Sequence, residues 1–170
     1  MRHLTNWQHQ PLRCPSTKHN HQLHDDWDGD DARAYLGTLV PNYPNFFCLY
    51  GPNTQFGHGG SLISIIERQV SYVMSLLGKM FANDLRCVDV REDVYERYNA
   101  EVDAKHEGMI WTHQGMSTYY RNSKGRVVVC NPFRIVEFWE MTASADLNDY
   151  RAVAKTSDKK YQSSQSGVKV

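Results

Sequence analysis

Residues Phe46 to Leu77, FFCLYGPNTQFGHGGSLISIIERQVSYVMSLL, constrain the fold more than any other stretch. The run Phe46-Phe47-Cys48-Leu49-Tyr50 has the length of a strand, and its unbroken apolarity predicts one buried in a parallel sheet. Gly51-Pro52-Asn53-Thr54 ends it. Four of the eleven glycines fall between Gly51 and Gly60. Beyond them Leu62, Ile66, Val70, Val73 and Leu77 recur at helical spacing, widened by Ile63 and Met74, with Ser61 as N-cap and Gly78 as stop. Strand, glycine-rich turn and helix together present backbone N–H groups and a helix N-terminus to an anionic or electron-rich ligand. Gly57, Gly59 and Gly60 let a ligand approach the main chain, because no Cβ intervenes. The same pattern also fits a tight β–α connection that needs positive φ and binds nothing. A glycine cluster without a fixed fingerprint does not choose between them.

With 170 residues, 41% of them hydrophobic, the chain is long enough to bury a core of its own. Nineteen basic and nineteen acidic side chains cancel, so no overall field favours nucleic acid or an anionic membrane. Cys14, Cys48, Cys87 and Cys130 form no C-x-x-C pair, which argues against a zinc ribbon or disulfide scaffold and fits a reducing compartment. Glu67, Arg68 and Gln69 interrupt the best apolar stretch, and the first residues lack the apolar core of a secretory signal, so a cytoplasmic protein is expected.

Residues 1–23 are polar and hold four of the eight histidines, with His24 just beyond. His19, His21, His24 and Asp25 carry metal-ligating atoms, but nothing local preorganises them, so a disordered, solvated segment is expected and no metal site. Asp30 or Asp31 caps an expected short helix over Ala32 to Leu36 that ends at Gly37. Cys87 to Val90 reads as a strand, and a helix follows from Glu92, with Tyr95, Tyr98 and Val102 on one face. Ser117 to Arg121 and Arg126 to Cys130 flank Asn122-Ser123-Lys124-Gly125 as a β-hairpin. Asn131 and Pro132 open a last helix through Ile135, Val136, Phe138 and Trp139. Residues 151–170 carry five basic side chains, little apolar content and Ser-Ser-Gln-Ser, and are expected to be a disordered polar tail.

The stretch PNFFCLYGPNTQFGHGGS with its helix is accompanied, in order, by further motifs. Upstream stand Trp27-Asp28-Gly29 and Ala32-Arg33-Ala34-Tyr35-Leu36-Gly37. Downstream stand Val90-Arg91, Tyr95-Glu96-Arg97-Tyr98-Asn99, Trp111, Ser117-Thr118-Tyr119-Tyr120-Arg121-Asn122, Lys124-Gly125-Arg126, Asn131-Pro132 and Asp149-Tyr150. On these residues, roughly 24–150, the chain resembles the C-terminal part of the FAD-binding domain of Baeyer–Villiger (class B flavoprotein) monooxygenases, of the 4-hydroxyacetophenone monooxygenase type. The resemblance implies an α/β fold: the C-terminal piece of a flavoprotein with two Rossmann-like dinucleotide-binding domains. It implies FAD and NADPH as cofactors and oxidation of a small ketone to an ester. It places the glycine-rich loop beside the flavin, with Asn53, Thr54, Gln55, Gly57, His58 and Gly59 as cofactor-binding residues and Phe56 facing the substrate. Trp111 stands nearest to a tryptophan of a mobile segment that folds over the nicotinamide cofactor, with core packing as its alternative.

Dinucleotide-binding regions of this kind carry G-x-G-x-x-G after a strand, and the chain contains none. The family's signature arginine also lies upstream of the matching region. No catalytic residue is therefore assigned. The expected role is that of a fragment incompetent alone, whose partners are the dinucleotide-binding regions of the same enzyme. The alternative is a non-catalytic binding or interaction module that folds independently.

Overall fold

A computed structural model describes residues 22–155 apart from 58, 59, 114, 116 and 117. Its elements are α1 (Leu23–Asp26), α2 (Leu62–Ala82), β1 (Leu85–Val90), α3 (Glu92–His106), α4 (Ile135–Met141) and β2 (Tyr150–Ala154). Single 3-10 turns lie at Ile110–Thr112 and Leu147–Asp149.

The long helix begins after Ser61 as its sequence predicts, but Gly78 does not stop it. One glycine inside a helix costs about 1 kcal/mol relative to alanine, which the packing of a 21-residue helix absorbs. The buried residues of α2 are Ile65, Gln69, Tyr72, Leu76 and Met80, so the expected core face is rotated. Ile66, Val73 and Leu77 are half-buried, while Leu62, Ile63, Val70 and Met74 are exposed. The helix thus has two apolar faces, of which the described chain covers one.

The core gathers Tyr72, Leu76 and Met80 of α2, Val88 and Val90 of β1, Val94, Tyr98 and Val102 of α3, together with Leu36, Leu39, Phe133 and Tyr150. Burying a leucine such as Leu76 completely contributes about 1.5–3 kcal/mol. At the centre the Tyr72 and Tyr150 hydroxyls meet at 2.6 Å, and the Tyr35 hydroxyl donates to Asp149 Oδ2 at 3.0 Å, so these three rings bring their polar ends to partners.

β1 and β2 pair antiparallel, Val88 opposite Ala152 and Val90 opposite Tyr150, with an irregularity between Leu85 and Cys87. Residues 151–154, expected as the start of the polar tail, are therefore ordered strand. The Asp89 carboxylate in β1 is almost wholly buried, and accepts from Arg151 (2.9 Å) and the Asn42 N–H (3.0 Å). Cys48 and Cys130 are free thiols.

Phe46 to Tyr50 forms no strand. Its Cys48 N–H donates to Thr38 O (2.8 Å) and its Tyr50 N–H to Gln69 Oε1 (2.7 Å), while Phe46 and Leu49 are exposed. A parallel-sheet strand needs neighbours on both sides, and among the described residues only β1 and β2 are strands. No helix spans Ala32 to Leu36 either. The segment ends in a tight turn bridging Tyr35 and Leu39, with Leu36 and Gly37 both at positive φ. The 122–125 turn forms as expected, but its flanks pair through one bridge, Arg121 with Val127. α4 starts three residues later than Pro132 predicts, because Asn131 Oδ1 caps the nearby Phe133 N–H (2.9 Å) and Glu137 holds the Arg134 N–H (2.7 Å).

Candidate functional site

The glycine-rich loop runs from Tyr50 to Ser61, and its first half is clamped by Gln69 and by residues 128–131. Gln69 of α2, with no exposed surface, accepts from the Tyr50 N–H and donates to Thr38 Oγ1 (2.9 Å) and Gly37 O (3.2 Å). The Asn53 N–H donates to Val128 O (2.9 Å), the Gln55 N–H to Val129 O (3.1 Å), and Gln55 O accepts from the Asn131 N–H (2.8 Å). This short parallel pairing of 53–55 with 128–131 is the extended structure the sequence places too early, at 46–50.

Gly51 and Gly57 serve close packing. Left-handed backbone falls on Tyr50 (φ 54°) and Asn53 (φ 56°), whereas Gly51, Gly57 and Gly60 avoid it. A Cβ on Gly51 would lie 2.4 Å from Gly37 O, and one on Gly57 would lie 2.7 Å from Trp111 Cζ2. The Trp111 indole therefore rests on the bare main chain of the loop. Its other neighbour is Tyr120, edge-on at 5.0 Å between centroids.

Of the residues expected at a cofactor, Asn53 and Thr54 are buried and spend their polar atoms inside the chain. Asn53 Nδ2 donates to Val127 O and Cys130 O, and Thr54 Oγ1 to Gly51 O (2.6 Å). They shape the loop from beneath. Gln55 and Phe56 are half-buried, Phe56 packing edge-on to Phe138 at 5.7 Å, and Gly57 and Gly60 are exposed. His58 and Gly59 lie outside the described residues. Beyond the loop, α2 opens with Ser61, whose side chain makes no capping bond, and no acidic residue lies in the first turn. The first N–H groups of a helix have no partner within it, so this end offers donors and partial positive charge to a ligand.

A pocket of about 490 Å³ is lined by Cys48, Leu49, Gly51, Pro52, Gln55 and Val129 among others. Burial pushes the Cys48 thiol up, and Cys130 up to about 11. Both are thus thiols at neutral pH and poor nucleophiles. Among the described residues no group of three or more His, Cys, Asp or Glu side chains could hold a metal ion.

Beneath the loop, His106 at the end of α3 is 3% exposed. Its Nε2 lies 3.1 Å from Cys130 O. Burial, aided by the nearby Arg126 charge, holds its pKa below 6.5. The unfolded chain thus binds this proton more readily than the folded one, so His106 favours folding above about pH 6.5 and progressively less below it. Denaturation midpoints measured from pH 7.5 to 5 should fall with acidification, and His106→Gln should flatten that fall. An equally steep fall in the variant would remove His106 as its source.

No family model matches the chain. It is 50% identical over 131 residues to an uncharacterized monooxygenase of Sinorhizobium fredii, covering 77% of this chain and 20% of the relative. It is 33% identical over 129 residues to a Baeyer–Villiger monooxygenase of Pseudomonas aeruginosa, covering 75% and 24%. The chain is a homologue of part of the Baeyer–Villiger and other flavin monooxygenases. The backbone agrees: OTEMO, in a complex with FAD and NADP, superposes with a TM-score of 0.65 at 18% identity over 81% of this chain and 25% of its own. The fold is therefore that of a flavin monooxygenase segment, and the chain spans between a fifth and a quarter of the length of these relatives. Among the described residues no helix is long and apolar enough to cross a membrane.

Proposed function

We propose that the chain acts as the C-terminal part of the FAD-binding domain of a Baeyer–Villiger monooxygenase of the 4-hydroxyacetophenone type, completed by dinucleotide-binding regions with which it forms one enzyme. The observation that carries this reading is the second apolar face of α2. Ile63, Val70, Met74 and Phe81 are 64, 40, 60 and 73% exposed, and recur at four- and seven-residue spacing along one side. Phe46 and Leu49 extend the exposed apolar surface beside the loop. Such a surface marks an interaction site, and the relatives' further length supplies a partner of the right kind.

The residues present fit a flavin. Glycines without side chains line the exposed half of the loop, and the uncapped start of α2 offers N–H donors to an electron-rich heterocycle. Main chain from Asn53 to Ser61 would hold the ring, with Gln55, Gly57, His58 and Gly59 nearest and Asn53 and Thr54 supporting from below. Phe56 would border a small ketone, and Trp111 a nicotinamide. Bound FAD, reduced by NADPH, supplies the oxygen-transferring chemistry. The contribution of this chain is to orient the ring, exclude water from it and fix the loop.

Met74→Glu places a charge in the outer face of α2 without touching the core. Co-purification with the upstream region of the Sinorhizobium relative should be lost, while the variant's own unfolding midpoint stays within about 0.5 kcal/mol of the parent's, as for ordinary surface changes. Undiminished association would remove α2 from the interface.

A further inference from the structure

We propose that Arg126 is the positioning residue of the glycine-rich loop, an inference that rests, for its functional meaning, on the loop facing the flavin. Arg126 follows the 122–125 turn and its side chain is 11% exposed. Its guanidinium joins three parts of the chain. Nε donates to Asp103 Oδ1 of α3 (2.7 Å), Nη1 to Ala32 O (2.9 Å), and Nη2 to Asn53 Oδ1 in the loop (3.1 Å).

The contact to Asn53 completes the bonding of that side chain. Asn53 is 2% exposed at φ 56°, and its amide N–H groups go to Val127 O (2.9 Å) and Cys130 O (3.0 Å). Turning the amide over would set its oxygen against two carbonyl oxygens and its NH2 against the guanidinium. One orientation satisfies all three contacts, and Arg126, holding the amide oxygen, pins Asn53 at the head of the 53–55 pairing that carries the chain to Phe56 and Gly57. The guanidinium itself stays beneath the loop, occupied by Asp103, Ala32 and Asn53, with Asp31 Oδ1 3.5 Å from Nη1.

The acidic partners do not depend on Arg126 alone. Arg33 also meets Asp103 (2.7 Å) and Asp31 (3.3 Å). Lysine at position 126 would keep the charge beside these carboxylates, but its single ammonium cannot span the three acceptors that the planar fork reaches.

Backbone amide exchange of the full 170-residue chain, without flavin, tests this in R126K and R126Q. In both, the Asn53, Gln55 and Asn131 amides should exchange about tenfold faster, the effect of losing a hydrogen bond to a charged group. In R126K the β1 and β2 amides should keep their protection. Unchanged loop protection in R126K would overturn the proposal. So would an equal loss throughout β1, β2 and α3, which would make Arg126 a general stabiliser. Because no flavin is present, the outcome is independent of what the loop faces in the complete enzyme.

Discussion

Gly37→Ala should destabilise the chain by on the order of 3 kcal/mol, read as a shift of the urea midpoint at constant slope. Gly37 sits at φ 62°, where an L side chain costs about 1–2 kcal/mol. The added Cβ would also lie 2.0 Å from Thr54 Cγ2 and 2.9 Å from Pro52 O. Thr54 cannot swing away easily, being branched at Cβ, 1% exposed and tethered through its hydroxyl to Gly51 O. Overpacking of this kind typically costs about 1–3 kcal/mol. The damage should appear in the loop as well as in the midpoint, because the clash pushes directly on Thr54. A change below about 0.5 kcal/mol would mean that the 36–38 turn and the loop are not in contact.

Gln69→Leu should cost about 3 kcal/mol, although it exchanges a polar side chain for an apolar one of similar size. The substitution leaves the Tyr50 N–H without its acceptor, and takes the donor from Gly37 O and Thr38 Oγ1. Each buried group left without a partner costs about 1–3 kcal/mol, far more than the net gain from making such a bond. Gln69→Glu separates the two halves of the role. It keeps an acceptor for Tyr50 but sets a carboxylate oxygen toward Gly37 O, so it should fare no better than leucine near neutral pH. Combined with Gly37→Ala, the loss should fall short of the sum, since both variants release the same turn. Full additivity would indicate two independent sites, and a neutral Gln69→Leu would show that the amide holds nothing.

Helix existence was legible from periodicity for α2 and α3, and so were the 122–125 turn and a strand ending at Val90. The core face of α2 was not. Leucine, isoleucine, valine and methionine occupy two sides of that helix, and the side that turns inward carries Gln69 and Tyr72, which a hydrophobic count passes over. Phe46 to Tyr50 reads as a buried strand because apolarity reports only that a segment wants cover, and here Phe47 packs against the core while Phe46 and Leu49 stay exposed. The glycine-rich turn calls for positive φ, but not at Gly51, Gly57 or Gly60. Positive φ falls on Tyr50 and Asn53, while Gly51 and Gly57 make room for Gly37 O and Trp111. Contacts between residues 53 and 126, or 57 and 111, join positions too distant in sequence for any local pattern to reveal. Arg126 stands at the end of the Lys124-Gly125-Arg126 motif, yet nothing in those three residues shows that its guanidinium reaches the loop.

Flavin content decides most directly whether the glycine-rich loop lies against a ring that other regions hold. The 170-residue chain, purified alone and then co-expressed with the upstream region of the Sinorhizobium relative, should be colourless alone and yellow in the complex, with a flavin absorption band that Met74→Glu abolishes. Stoichiometric FAD retained by the chain alone, or a stable complex that binds flavin identically when residues 50–61 are replaced by an unrelated loop, would contradict it.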